Sequence, residues 1–412
     1  MSNWPFRFVH ASDFHLETPV FGITDIPEKL RDLFLEAPFL AAERVFETVL
    51  AEDAEFLVLA GDILNPAYTG PRGPLLLIDQ FERLKERDIP VYWIGGRVDP
   101  PEAWPPSIRL PDNVFLFPKG QTVAKVHRRD DSPLATVVGL SCPAGGSRPG
   151  PVPVEAFSPD SSGLYTVAVA YGEGEPGRFQ ECGIDYWALG GRHARGTLVS
   201  GASKVHYAGS PQGRHPEEDD VHGCSLVQVD ESRNTRVSLI PTDMLRWRNE
   251  RIVIDEATTR EQLEMSLRER MHTLMENADG VDLLVGWTVA GLGPLAAELR
   301  RGTLGKTLLD VLREDYGKGS QIAWSTDLGV ESSGVLPPHW YDQQTIRGDF
   351  LRAVQSFQAE PGRALQLQAY LPEDADDEIV ELLTGIETAA RGSLLNEVSV
   401  LGVDLLSPEE VA

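Results

Sequence analysis

Residues 56–60 form an unbroken apolar run, Phe56-Leu57-Val58-Leu59-Ala60, that closes on Gly61-Asp62. A run this short and apolar suits a strand buried on both faces, as in parallel sheets covered by helices. The glycine lets the backbone turn tightly, and the aspartate then presents a carboxylate at the strand end. A second segment repeats the arrangement, because the strand-like residues 8–11 deliver Asp13 and His15, two residues apart, just beyond their C-terminal end. A carboxylate and an imidazole so spaced can chelate one divalent ion. Short apolar strands alternate with helical stretches, such as 39–51 and 75–86, as far as about residue 245. That alternation argues for an α/β core.

Three later segments complete a series. Gly96-Arg97-Val98-Asp99 follows a strand at 89–94, Tyr171 ends a strand at 165–170, and Gly190-Gly191-Arg192-His193 closes an apolar stretch. In this order the segments resemble the motifs of the calcineurin-like metallophosphoesterases, which read D-x-H, G-D, G-N-H-D, a lone H and G-H-x-H. The branch most similar is that of the bacterial SbcD-type DNA-repair exonuclease subunits, particularly the YhaO-like ones. The stretches that carry the likeness are 8–19 (FVHASDFHLETP), 56–65 (FLVLAGDILN), 183–190 (GIDYWALG) and 207–224 (YAGSPQGRHPEEDDVHGC). It covers about the first 245 residues and continues more loosely to the end.

The resemblance implies an α/β fold: a two-sheet metallophosphoesterase sandwich flanked by helices, then a smaller α+β cap domain and C-terminal helices. It also implies a two-metal centre, from which this chain departs in a patterned way. The ligands of one metal fall on Asp13, His15, Asp62 and His193, all present. The second metal shares the bridging aspartate and otherwise uses positions held here by Arg97, Tyr171 and Gly191, none of them the family ligand. The family's transition-state-stabilising histidine is Val98, which can neither donate a proton nor hold a charge. Loss of a general acid lowers a rate by about 10²–10⁴-fold, and loss of one electrostatic clamp by about 10²–10³-fold. Little or no phosphodiester turnover by the chain alone is therefore expected.

Arg97 carries a fixed charge and a two-pronged donor for phosphate oxygens, so it is a candidate to stand in for the second ion beside Asp62. The alternative is a surface salt-bridge residue. Ser210 and Arg214, in the segment Gly209-Ser210-Pro211-Gln212-Gly213-Arg214, are further phosphate-binding candidates, with His215 beside them; a plain Gly/Pro turn is the other reading. His10, His127, His206, His222, His272 and His339 are isolated and read as structural. Gly302 to Thr307 ends like a phosphate-binding loop, but Arg300 stands where the first glycine is needed and no strand precedes it. It reads as the cap of a helix through Leu312.

A chain of 412 residues exceeds the usual single-domain range. The expected division is a nuclease-type domain at 1–245, a cap domain at 246–345 and a helical partner-binding segment at 346–412. Amphipathic helices are expected at 349–358 and 376–387. A net charge of −26 repels a polyanion, so DNA binding by the isolated chain is expected to be weak. The resemblance implies an SMC-like coiled-coil ATPase partner, DNA ends as ligand and a homodimer. One divalent metal is the expected cofactor, Mn²⁺ by the resemblance, with a metal-free chain as the alternative. Three widely spaced cysteines, Cys142, Cys182 and Cys224, fit a reduced cytoplasm. No apolar run reaches the ~20 residues of a membrane helix, and the N-terminus shows no signal-peptide pattern. Three functions follow: an impaired one-metal exonuclease-family subunit, an inactive pseudo-nuclease scaffold, or a small-molecule phosphoesterase.

Overall fold

Strands that are apolar at every position require cover on both faces, and the structure supplies it by pairing two mixed sheets between helices. The computed structural model describes residues 4–406 except 24, 66–69, 143–148, 180–181, 202, 292, 301, 332–335, 361, 364 and 366–387. In chain order the strands are β1 (Phe6–Ala11), β2 (Leu57–Ala60), β3 (Val91–Ile94), β4 (Val114–Phe117), β5 (Val123–Arg129), β6 (Ser132–Gly139), β7 (Tyr165–Tyr171), β8 (Tyr186–Gly190), β9 (Gly196–Ser200), β10 (Lys204–Tyr207), β11 (Gly223–Val229), β12 (Thr235–Pro241), β13 (Leu245–Val253), β14 (Asp282–Ala290) and β15 (Ala323–Glu331). The helices are α1 (Glu28–Ala51), α2 (Arg72–Lys85), α3 (Pro176–Phe179), α4 (Arg260–Glu276), α5 (Pro294–Arg300), α6 (Thr303–Tyr316), α7 (Pro338–Tyr341), α8 (Ile346–Ala359) and α9 (Thr388–Leu406).

One sheet has the order β12-β11-β1-β2-β3-β4, the second β5-β6-β7-β8-β10-β9, and a third β13-β14-β15. Strands β1 to β4 are parallel, as are β6, β7, β8 and β10, while β11, β12, β5 and β9 close the sheets antiparallel. The period-2 alternation of a strand divides its side chains between two cores. Phe8, Phe56, Val58 and Tyr92 of the first sheet meet Val167, Val169, Tyr171 and Tyr186 of the second. The alternate residues Val9, Leu57, Leu59 and Trp93 pack under α1 and α2 through Phe46, Leu77 and Phe81. His10, His127 and His206 are buried, held by Tyr186, by Tyr92 and Glu55, and by Thr197 and Ser225 respectively.

Helix α1 begins eleven residues before the expected position 39 and runs through Pro38. A proline inside a helix withholds one donor from the carbonyl four residues earlier. Here that carbonyl, of Phe34, accepts from Val20 N–H at 3.0 Å, so the acceptor is satisfied from another segment.

The chain divides into two compact units, Met1–Asn249 with Thr273–Gly286 and Arg313–Thr326, and Glu250–His272 with Trp287–Leu312 and Asp327–Ala412. In the second, α8 and α9 pack through Leu351, Val400 and Val403. Helix α8 is capped by Thr345, whose hydroxyl accepts from Gly348 N–H at 3.2 Å. The Gly302–Thr307 segment starts α6 and is preceded by helix α5 rather than a strand, as its sequence implies. The helix expected at 376–387 lies outside the described residues. No helix among the described residues is long and apolar enough to cross a membrane.

Candidate metal centre

Parallel strands gather their C-terminal ends on one edge, and the loops that follow those ends carry the site. After β1 the chain turns through Asp13 and His15, and after β2 through Asp62, all three in the left-handed region with φ of 56°, 46° and 53°. Non-glycine residues hold that conformation only where the surroundings compensate. The compensation is visible: Asp13 N–H donates to Gly61 O, His15 N–H to Asp62 O and Leu16 N–H to Ile63 O, at 2.9–3.0 Å. Asp99 then laces the β3 loop to the β2 loop, because its carboxylate accepts from the N–H groups of Asp62 (2.8 Å), Ile63 (2.7 Å) and Gly96 (2.6 Å).

Asp13, His15 and His193 converge, with one ligand atom from each lying within 4.8 Å of the others. The two Nε2 atoms of His15 and His193 face each other at 3.1 Å. A carboxylate and two imidazoles closing on one point suit a single borderline divalent ion. Asp62, the fourth expected ligand, has Oδ2 3.8 Å from His15 Nε2 but is engaged elsewhere. Tyr171 Oη donates to Asp62 Oδ2 at 2.6 Å, and Val98 N–H donates to Oδ1 at 2.9 Å. Burial and then the Asp62 charge push the Tyr171 phenol far above its ordinary value, so it keeps its proton and stays a donor.

Gly191 explains how Tyr171 fits. At φ +97°, a Cβ on residue 191 would lie 3.2 Å from Tyr171 Cζ, so a larger residue there competes with the phenol ring. The Gly191 N–H instead donates to both oxygens of Asp13 at 3.1 Å. Burial, opposed by the His193 imidazole and reinforced by Asp62, pushes the Asp13 carboxyl up to about 6. Burial first, then the charges of Arg214, His193 and Arg97, hold His15 well below its usual value. His15 is thus held as the neutral imidazole, the charge form that binds metal.

Arg97 is half-buried, with Nε shielded from solvent and unpartnered, and its charge acts on His15 and Tyr171. Arg214 is almost wholly buried; its Nη2 lies 3.4 and 3.5 Å from the ring nitrogens of His193, and its Nε has no partner. Ser210 is committed to the loop, with its hydroxyl 2.9 Å from His222 Nδ1 and 3.4 Å from His193 O. His215 lines the cleft beside His193.

Sequence reasoning missed Glu218. Its Oε1 accepts from His193 Nδ1 at 2.6 Å and its Oε2 from Arg214 N–H at 2.8 Å. Burial opposes its charge, but the His193 hydrogen bond and the Arg214 charge prevail and hold the carboxyl down at about 2. A carboxylate on Nδ1 directs Nε2 toward the metal position. The run Glu217-Glu218-Asp219-Asp220 held no signal that singled out its second member. Asp99 was also given no role, although Gly96-x-x-Asp99 is the part of its motif that this chain retains.

A double sheet whose strand ends bring a carboxylate and two imidazoles together can hold a divalent metal. The chain is similar to a curated protein, the uncharacterized metallophosphoesterase YhaO of Bacillus subtilis (strain 168), with 28% identity over 339 residues that cover 79% of this chain and 81% of YhaO. No protein-family model matches the chain. Solved structures that align include a dimetal phosphatase from Danio rerio (10% identity, TM-score 0.34, 57% of this chain and 98% of that one) and the protein TT1561 of Thermus thermophilus (14%, 0.29, 57% and 98%).

Proposed function

We propose that this chain is the metallophosphoesterase subunit of a DNA-end-processing assembly, a phosphodiester hydrolase with one metal position kept and the second filled by its own side chains. One observation carries this reading: the Tyr171 hydroxyl sits on Asp62 Oδ2 at 2.6 Å while Asp13, His15 and His193 still converge. Asp13, His15 and His193 would hold the ion, with Asp62 beside them, and Glu218 fixes the tautomer of His193. A divalent ion bound there supplies Lewis-acid polarisation of a phosphoryl oxygen and acidifies a bound water. Arg97 and Arg214 both bring fixed positive charge to the cluster and can bind phosphate oxygens. Val98 leaves the leaving group without a protonating side chain, so turnover is slow.

The partner in this reading is an SMC-like coiled-coil ATPase. Its support is an exposed apolar stripe on α9, Val398, Leu401 and Leu405, at the spacing a coiled-coil helix recognises. Such a partner would also bring the basic surface that a chain of net charge −26 lacks.

The test is digestion of linear duplex DNA with Mn²⁺, with Asp62→Ala as the control for contaminating nuclease, alongside metal analysis of the purified chain. Cleavage that disappears in the variant, with one ion per chain, supports the reading. Two ions per chain overturn the one-metal assignment. No cleavage even with the ATPase added favours a pseudo-nuclease scaffold.

A further inference from the structure

Beside the metal cluster the chain leaves a cleft of about 920 Å³, whose lining includes Phe21, His193, Arg195, Ser210, His215 and Glu217. A phosphate at the cluster would place whatever is esterified to it within reach of this space. The opening bears an aromatic pair: the rings of Phe21 and His215 lie 5.0 Å apart at 44°, and Phe21 is 50% exposed.

The pair is built rather than loose. Phe21 N–H donates to Arg214 O at 2.8 Å, tying the aromatic ring to the same residue whose guanidinium lies against His193. The next residue, Gly22, has φ +101°, and a Cβ there would come within 2.5 Å of Pro216 Cδ and 3.3 Å of His215 Cδ2. Only glycine allows the two segments to press together and hold the rings side by side. The lining is also acidic. Glu217, Asp219 and Asp220 are exposed; Glu217 lies 4.0 Å from His215 Nδ1, and Arg248 lies 4.0 and 2.8 Å from the last two. Such a lining repels a row of phosphates but accepts an uncharged base and sugar.

We infer that this cleft seats a nucleobase on the Phe21–His215 pair, so that the site takes one nucleotide whose phosphate lies at the Asp13–His15–His193 cluster. The inference rests on the phosphoesterase reading above and names its substrate class. Stacking on an aromatic face tolerates any base and strengthens binding by about tenfold or more per base. The nucleotide can be free or the terminal residue of a strand.

The experiment is calorimetric titration of the full chain, loaded with Mn²⁺, with inorganic phosphate, deoxyadenosine monophosphate and a single-stranded deoxyadenosine decamer. The mononucleotide should bind about tenfold more tightly than phosphate, and Phe21→Ala should remove that advantage while Phe21→Tyr retains it. His215→Ala should reduce it as well, which guards against a folding defect of one variant. A decamer that matches the mononucleotide and shares the Phe21→Ala loss supports a strand end; a mononucleotide that binds where the decamer does not supports a free nucleotide. Phosphate and mononucleotide binding equally, with no effect of Phe21→Ala, overturns the nucleobase seat and leaves the phosphate site standing. Binding of none of the three overturns both.

Discussion

Tyr171→Phe removes one oxygen atom from the interior and nothing else, so it isolates the contact on which the one-metal reading depends. In the folded chain Asp62 is buried with two donors, Tyr171 Oη on Oδ2 and Val98 N–H on Oδ1. The substitution leaves Oδ2 facing a ring edge without a donor. A hydrogen bond to a charged group contributes about 1.5–3 kcal/mol, and stranding the buried acceptor costs at the upper end of that range. For a unit of this size each kcal/mol moves the melting temperature by about 2–4 °C, so the metal-free variant should melt about 6–12 °C lower. Mn²⁺ should reverse the order of sensitivity. The freed Oδ2 lies near His15 Nε2 and can turn toward the ion, so Mn²⁺ should raise the melting temperature of the variant more than that of the parent. Scanning calorimetry of both proteins, with chelator and with Mn²⁺, reads the two effects. Metal-free melting temperatures that agree within about 1 °C would refute the reasoning, since the contact would then carry no free energy.

Exchanging the three second-metal positions together, with Tyr171→His, Gly191→His and Arg97→Asn, should raise bound Mn²⁺ from one to two per chain by elemental analysis; a ratio that stays at one would show that the pocket cannot be rebuilt from these residues. Glu218→Gln keeps an acceptor for Arg214 N–H but takes the charge from His193 Nδ1, and should weaken Mn²⁺ binding by about 10–100-fold by calorimetry; unchanged affinity would count against its positioning role. Stability should fall below pH 6.5 through the buried imidazoles. Burial first, then Arg195 and Lys204, hold His206 down at about 3, against 6.5 when unfolded. The unfolded chain therefore binds this proton across the window from 6.5 to 3 while the folded one does not. Stability is complete above 6.5 and is lost as pH falls through that window. At pH 5.5 the loss from His206 is about 1.4 kcal/mol. Urea titrations at pH 7 and 5.5 should show His206→Gln losing less than the parent by that amount, and equal losses would refute it.

Much of the site was legible because strand ends are local features. The apolar run before Gly61-Asp62 and the spacing of Asp13 and His15 place these side chains just past the C-terminal ends of buried strands, where the structure has them. The start of α1 was not legible, because whether a helix continues through Pro38 depends on what else satisfies the Phe34 carbonyl, and Val20 does so.

The sequence by itself determined most of the elements, the order in which their ends deliver chemistry, and the net charge of −26. Only the tertiary structure decided the contacts between those ends. Tyr171 meets Asp62 across 109 residues and His193 meets Glu218 across 25, because two sheets stack and bring separate strand ends to one edge. Whether a phenol binds the Asp62 carboxylate, or which of two adjacent glutamates orients an imidazole, is settled by distances of a few ångströms. Residue identity cannot specify such distances until the backbones that carry them have packed.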